Sequence, residues 1–297
     1  MEDNKLYNAL LKSQDERRRL EHDRGEAKAE EGFRKERPYA GAEQERLTHT
    51  QTQTQTKVET NQNEHAPTVY DASVSLGLIG NPKPWSREQL RERKIIYSGM
   101  PDKEVMDAYR ELRIQLRNRA GEGNFTVMFS SLGTGPGGLL TAFNLAAAFA
   151  LDSQTSALLV DCDPYSNELG GLVSSPMGAG VTDFVGDRSM TIKSILYPSG
   201  LERLTVIPAG TQASSAVELF SAVRMRELIT ELKARYPDRC IVLNAPPFRE
   251  NTEARILERF ADQIVFGVPF GEVTGEIITD SVDALGSDKF SGLIFQE

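Results

Sequence analysis

The chain has 297 residues and a formal net charge of −9, from 34 Lys and Arg against 43 Asp and Glu. Its length allows one or two domains, and its acidic balance argues against a general nucleic-acid-binding protein, because neutralising phosphates requires clustered Lys and Arg. Its two cysteines exclude a disulfide framework and are typical of a cytoplasmic protein.

The sequence contains no recognisable membrane or export segment. No apolar run reaches the roughly 18 residues that a membrane-spanning helix needs. Residues 1–20 lack the continuous apolar core of a secretory signal. We therefore expect a cytoplasmic protein without direct membrane insertion.

Residues 1–24 are predicted to form a short amphipathic helix. Leu6, Tyr7, Leu10 and Leu11 lie on one face at helical spacing, and charged residues follow them. Two interpretations stay open. The segment is either a marginal helix that frays, or a docking helix that becomes ordered when it binds a partner.

Residues 25–66 are predicted to be a disordered polar linker. The stretch THTQTQTQTKVETNQNEH is low in complexity and buries too little apolar surface to offset its ordering entropy. All three histidines, His22, His49 and His65, precede residue 67. The rest of the chain therefore has no residues for a Ser–His–Asp triad or a His-ligated metal.

Residues 67–100 are predicted to be a partly ordered linker. They contain the only tryptophan, Trp85, together with several prolines. Within this linker, SREQLRERK (86–94) predicts a short helix that has Ser86 as its N-cap.

From residue 101 to 297, strand and helix patterns alternate. Helices are predicted over 102–119, 141–151, within 215–236, 254–261 and 275–285. Strands are predicted over 126–131, 157–163, 204–210, 240–247, 263–270 and 293–297. This alternation of helices with continuous apolar strands predicts an α/β fold with a mainly parallel central sheet and helices on both faces. Ligands of such sheets bind at the carboxyl ends of the strands.

A glycine-rich loop, LGTGPGGLLT, follows the first predicted strand of this domain. In the phosphate-loop template G-x-x-x-x-G-K-[ST], Gly133 and Gly138 take the glycine positions, and Leu139 and Leu140 stand in place of Lys and Ser/Thr. The template's lysine supplies positive charge to the phosphates, and its hydroxyl holds Mg²⁺. The candidate nucleotide-binding residues, as a vestigial set, are Gly133, Gly135, Gly137, Gly138, Leu139, Leu140, Thr141 and Asn244.

Polar residues also end two of the later strands. Asp161 and Asp163 follow LLV, and Asn244 stands where a phosphate-loop NTPase carries a Mg²⁺-binding aspartate. We interpret Asp161 and Asp163 as a vestigial Mg²⁺ site. The alternative is that the two strands that carry these residues are plain buried strands with polar ends.

The charge pattern around the loop also indicates that the phosphate site lacks its cation. No Lys or Arg occurs between Arg119 and Arg188, a stretch that includes the glycine-rich loop and both aspartates. A lost preorganised charge contact in phosphoryl transfer typically costs about 10²-fold in rate or more. Three interpretations stay open: a purely structural strand-to-helix turn, weak nucleotide binding without turnover, or a cation supplied from elsewhere.

Seven motifs occur in order along the second part of the chain: AYRELRIQLR (108–117), SSLGTGPGGLLTAFNLA (130–146), LLVDCDP (158–164), GVTDFVG (180–186), LTVIPAG (204–210), VELFSAVRM (217–225) and VLNAPP (242–247). By these motifs, residues from about 101 to the end resemble the cytoplasmic bacterial tyrosine kinase (BY-kinase) family, the exopolysaccharide and capsule branch of the deviant, MinD/ParA-like phosphate-loop ATPases. Residues 6–19 also resemble the short N-terminal helix of stand-alone members.

The resemblance implies a role in exopolysaccharide biosynthesis and export, of the capsule, biofilm or holdfast type. The implied partner is a membrane polysaccharide co-polymerase, which would recruit the chain to the inner face of the cytoplasmic membrane. The family's E-x-x-R-x-x-R element makes contacts between subunits, and it matches Asp107, Arg110 and Arg113 here. This implies a homo-oligomer, whereas the alternative is a solvated helix face with ordinary i,i+3 pairing.

The chain departs from the family at the residues of phosphotransfer. Leu139, Leu140 and Asn244 replace the expected lysine, hydroxyl and aspartate, and no tyrosine follows Tyr236. We therefore predict a regulatory, pseudokinase-like subunit that needs no cofactor, or at most binds ATP–Mg or ADP–Mg weakly. The alternatives are an active divergent ATPase or tyrosine autokinase, and a partition-ATPase-like scaffold.

Overall fold

The computed structural model describes residues 83–296 apart from 122, 212, 236–238 and 286–287. The predicted helix at 1–24, the linker at 25–66 and the beginning of the linker at 67–100 lie outside these residues. None of the helices in the part that the structure describes is long and apolar enough to cross a bilayer.

The described chain forms nine α-helices and seven strands. The helices are α1 (Arg87–Glu92), α2 (Lys103–Ala120), α3 (Gly138–Ala150), α4 (Leu169–Leu172), α5 (Val181–Gly186), α6 (Ala216–Ser221), α7 (Val223–Arg235), α8 (Thr252–Leu257) and α9 (Gly275–Leu285). The strands are β1 (Phe125–Ser131), β2 (Ser156–Asp161), β3 (Tyr197–Pro198), β4 (Leu204–Ile207), β5 (Arg239–Ala245), β6 (Gln263–Pro269) and β7 (Phe290–Gln296).

The strands form one sheet in the order β3-β4-β2-β5-β1-β6-β7. Every pair of neighbours is parallel except β3 and β4. The carboxyl ends of β1, β2, β5 and β6 therefore meet at the same edge of the sheet, where the loops that follow them come together.

Two apolar cores lie on opposite faces of the sheet, and β1 contributes to both. Met128 packs into one core, whereas Val127 and Phe129 pack into the other. All seven residues of β1 are buried, since helices cover both faces. The strand therefore shows a continuous apolar run rather than an alternating pattern. These observations confirm the predicted α/β fold.

The predicted element types are largely confirmed, and the differences lie at their ends. Helix α1 begins with the expected cap: the Ser86 hydroxyl accepts a hydrogen bond from the Gln89 N–H, and the Gln89 side chain accepts one from the Ser86 N–H. The predicted start of α3 at residue 141 was late, because the helix begins at Gly138. Strand β2 ends at Asp161, before the predicted end at 163.

Three short elements were not predicted from the sequence: α4, α5 and β3. Helix α4 has the sequence LGGL, whose glycines disfavour a helix, and it forms with Leu169 and Leu172 buried. Strand β3 is two residues long and pairs antiparallel with β4. Elements this short carry no periodicity that a sequence pattern can detect.

Candidate functional site

The glycine-rich loop joins β1 to α3 at the carboxyl edge of the sheet. Gly137 is the N-cap of α3, and its φ of 100° lies in the left-handed region. A side chain would strain this backbone, so glycine is required at the turn into the helix. Helix α3 then begins with Gly138, Leu139 and Leu140, and none of these three residues carries a charge.

The two leucines pack against the protein interior. Leu139 is 4% exposed and belongs to the same apolar core as Phe129. Leu140 is half-buried and lines a cavity of about 890 Å³ between α2, α3 and β7. The Thr141 hydroxyl donates to the Gly137 carbonyl at 2.9 Å, so it is used within the first turn of α3.

A carboxylate from another strand end lies on the glycine-rich loop. The N–H of Gly135 donates to Oε2 of Glu272 at 3.1 Å. A β-carbon on Gly133 would lie 2.6 Å from the same oxygen, and one on Gly135 would lie closer still to Oε1. The glycines therefore admit this carboxylate. Glu272 was not singled out from the sequence, which shows only that this residue follows the end of a predicted strand.

Gln296, near the end of β7, holds the other side of the same turn. Its Nε2 donates to the Gly137 carbonyl at 3.1 Å and to the Thr141 hydroxyl at 2.6 Å. Its main-chain carbonyl accepts from the Phe270 N–H at 2.8 Å. A cavity of about 390 Å³ lies beside these groups, and it is lined by Pro136, Pro269, Phe270, Glu272 and Gln296. Gln296 was also missed from the sequence.

The structure brings Asp161 and Asn244 together. They are register partners at the ends of β2 and β5, and Asn244 Nδ2 donates to Asp161 Oδ1 at 2.8 Å. The same oxygen accepts from the N–H of Asp163 at 3.1 Å. Burial raises the pKa of Asp161 to about 7, against the lowering effect of these hydrogen bonds. The carboxyl is therefore only partly ionised at neutral pH.

Asp163 lies further out, in an acidic environment. Partial burial raises its pKa, and the charges of Glu168 and Glu253 add to this effect. The Tyr165 hydroxyl donates to the buried carboxylate of Glu253, and this bond above all raises the pKa of Tyr165 to about 12. Within the residues that the structure describes, no group of three or more His, Cys, Asp or Glu side chains is arranged to hold a metal ion.

Lys94 lies close to the loop in the folded chain, although it is distant in sequence. It lines the 890 Å³ cavity together with Gly137, Leu140 and Thr141. Its main-chain carbonyl accepts from the side chain of Asn144 at 2.9 Å. Asn144 lies seven residues beyond Gly137, or about 10 Å along the axis of α3. The fold thus brings Lys94 to the cavity, but the hydrogen bond from Asn144 holds the Lys94 backbone away from the turn at Gly137.

The predicted oligomer face on α2 divides into two parts. Asp107 and Arg110 form an exposed i,i+3 ion pair at 3.0 Å. The Arg113 guanidinium instead donates to the Ala148 carbonyl at 3.1 Å and lies 3.8 Å from Asp152. Arg113 therefore binds the last turn of α3 within the same chain, and Asp107 and Arg110 remain on the surface.

No family model and no curated protein matches the sequence. Several solved structures are similar in fold. The kinase domain of VpsO is 22% identical, with a TM-score of 0.55 over 66% of this chain and 97% of that domain. The kinase domain of the Escherichia coli tyrosine kinase ETK is 22% identical, with a TM-score of 0.60 over 72% of this chain and 88% of that one. The chimerical protein CapA2B2 is 20% identical, with a TM-score of 0.60 over 76% of this chain and 96% of that one. The chain therefore has the fold of bacterial tyrosine-kinase domains, as the motifs predicted.

Proposed function

We propose that this protein is a regulatory accessory subunit of exopolysaccharide biosynthesis and export that acts by contact and not by phosphotransfer. It has a kinase-type fold without a working phosphotransfer site, and is in that sense a pseudokinase. The observation that carries this proposal is the glycine-rich loop, where Leu139 packs into the core and the Gly135 N–H is bonded to the Glu272 carboxylate.

The loop is poorly suited to a triphosphate. Phosphoryl transfer depends almost entirely on positioning and on positive charge around the transferred group. Here the loop and the first turn of α3 contribute no cation, and a carboxylate lies against the loop. A nucleotide would meet like charge where a phosphate-loop enzyme provides lysine.

The acidic residues are poorly suited to Mg²⁺. This ion prefers near-octahedral oxygen ligands and is usually bound through carboxylates together with substrate phosphates. Oδ1 of Asp161 already accepts two hydrogen bonds, and burial favours its protonated form. Asn244 presents its N–H group to Asp161 where an aspartate would present oxygen. We propose that no metal–nucleotide cofactor is needed.

By resemblance, the partner is a membrane polysaccharide co-polymerase, which would hold the protein at the inner face of the cytoplasmic membrane. Surface features support a role in contact. Helix α2 exposes the Asp107–Arg110 pair, and Ile114, one turn further along the same face, is 46% exposed. Apolar side chains beside charged ones are typical of surfaces that bind protein. We propose that this face takes part in a homo-oligomer or in binding the co-polymerase.

Lys94 favours the second candidate function, an active divergent ATPase or tyrosine autokinase. Lys94 is one of the residues that line the cavity bordering the loop, and a cation from elsewhere in the chain is what such an enzyme would require. If Lys94 supplies that charge, Lys94→Ala would abolish nucleotide binding. Under the first proposal, this variant changes nothing in a nucleotide assay.

The two functions are separated by titrating the purified full chain with ATP and Mg²⁺ and by following thermal stability and ADP release. We expect no saturable binding and no turnover in the wild type, Lys94→Ala or Asp161→Ala. Micromolar binding with hydrolysis that Asp161→Ala removes would establish the enzyme.

The partner proposal has its own experiment. Co-purification with the membrane co-polymerase is compared among the wild type, a deletion of residues 1–20 and Arg110→Ala. We expect at least one of these changes to weaken the association. Full association in both variants would contradict the docking roles that we assign to the N-terminal segment and to α2.

A further inference from the structure

We propose that the Glu272 carboxylate is the resident anion of the glycine-rich loop and that it closes the loop to phosphate-bearing ligands. Glu272 would thus be an autoinhibitory residue built into the turn between β6 and α9. The inference rests on the proposed function: in a chain that does not turn over nucleotide, Glu272 takes the anion position of the loop.

The Glu272 carboxylate lies where the glycine-rich loop would bind an anion. Loops of successive backbone N–H groups at a helix N-terminus bind anions, and here an anion is observed on the loop, since Gly135 N–H donates to Glu272 Oε2 at 3.1 Å. The carboxylate lies so close to Gly133 and Gly135 that a β-carbon at either position would force it to move. A phosphate oxygen on the same N–H group would have to displace Glu272.

The charge around the loop also opposes phosphate binding. A carboxylate next to a phosphate raises the energy of both, and only a nearby cation offsets this repulsion. The 68 residues between Arg119 and Arg188, which contain the loop, have no Lys or Arg, and the backbone of Lys94 is held by Asn144, about 10 Å along α3 from Gly137. Glu272 therefore excludes phosphate by its volume and by its charge together.

The hydrogen bond between Glu272 and the loop can be removed without disturbing the fold. Glu272 is exposed and lies in a turn that begins at Pro269, whose carbonyl accepts the Glu272 N–H at 3.4 Å. Its side chain belongs to neither apolar core. The adjoining cavity of about 390 Å³ leaves room for a phosphate group once the carboxylate is removed.

The experiment measures binding of inorganic pyrophosphate, without metal, to the full-length wild type and to three variants by calorimetry. Glu272→Ala removes the carboxylate from the loop. Glu272→Gln keeps the volume of the side chain but removes its charge. Glu276→Ala is the matched control, because Glu276 is an exposed glutamate in the first turn of α9. We expect Glu272→Ala to bind at least about tenfold more tightly than the wild type. Glu272→Gln should be intermediate, and Glu276→Ala should match the wild type.

A second readout detects the contact without any ligand. Hydrogen exchange of the Gly135 N–H should be faster in Glu272→Ala than in the wild type and unchanged in Glu276→Ala. Equal pyrophosphate affinity in the wild type and Glu272→Ala, including no binding to either, would overturn the inference and leave the proposed function intact. ATP hydrolysis by the wild type would overturn the proposed function.

Discussion

The side chains of Asp161 and Asn244 are joined by a 2.8 Å hydrogen bond at the carboxyl edge of the sheet, where Asp161 ends β2 and its register partner Asn244 is the last residue but one of β5. Both side chains are almost fully buried, at 2% and 3% exposed. The amide takes the place where a second carboxylate would repel Asp161. The bond therefore gives the buried acid a neutral hydrogen-bond partner.

This pair predicts a pH-dependent stability. Burial raises the pKa of Asp161 from 3.8 to about 7 in the folded state, so the unfolded chain releases the proton first. The stability that protonated Asp161 contributes is full below pH 4, falls as the pH rises towards 7, and then stays constant. Asp161→Asn removes this penalty, and we expect it to raise the free energy of unfolding by about 2–4 kcal/mol at pH 8.

When urea denaturation is repeated at lower pH, the gain should change little between pH 8 and 7 and should shrink as the pH falls from 7 to 5. Asp187→Asn is the control, because main-chain and side-chain hydrogen bonds from Ser189 lower the pKa of that exposed carboxylate. It should show no such gain. A stability difference for Asp161→Asn that is independent of pH would contradict the buried, proton-binding acid.

The two leucines after the loop predict unequal losses of stability. Leu139 is 4% exposed within an apolar core, so Leu139→Ala should leave a cavity and cost about 2–4 kcal/mol. Leu140 is only half-buried at the wall of a cavity, so Leu140→Ala should cost about 1 kcal/mol. Urea denaturation of both variants tests this order. An equal or larger loss at Leu140 would show that Leu139 does not anchor α3 to the sheet.

The two arginines of α2 are predicted to differ in role. Arg113 donates to the Ala148 carbonyl in the last turn of α3, where positive charge is also favourable. Arg113→Ala should therefore cost about 1–2 kcal/mol of stability. Arg110 pairs with Asp107 on the surface, so Arg110→Ala should change stability by less than about 0.5 kcal/mol.

Sedimentation of the same two variants tests the oligomer face. Arg110→Ala should weaken self-association at unchanged thermal stability. If Arg113→Ala instead abolished association while leaving stability unchanged, the intrachain role that we assign to Arg113 would be wrong.

The sequence was enough to predict the fold, because continuous apolar strands that alternate with helices form a parallel sheet. It was also enough to predict that the site lies at the carboxyl edge of that sheet. Strand–helix alternation placed Asp161 and Asn244 near the ends of two strands, and the structure shows that these strands are neighbours and joins the two side chains directly. Glu272 and Gln296 could not be placed on the loop, because the direction of a side chain at a strand end or in a turn depends on tertiary packing. Lys94 reaches the cavity for the same reason, since Asn144 in α3 fixes its backbone.

The most direct test of the account is a single-turnover assay of the wild-type chain with labelled ATP and Mg²⁺, in which ADP release and labelled tyrosine are measured together. The account predicts neither product above the level of a protein-free control at any attainable protein concentration. Stoichiometric ADP release or tyrosine labelling that is lost in Asp161→Ala would contradict it, and would show that the protein is an active ATPase or, where tyrosine is labelled, an active kinase.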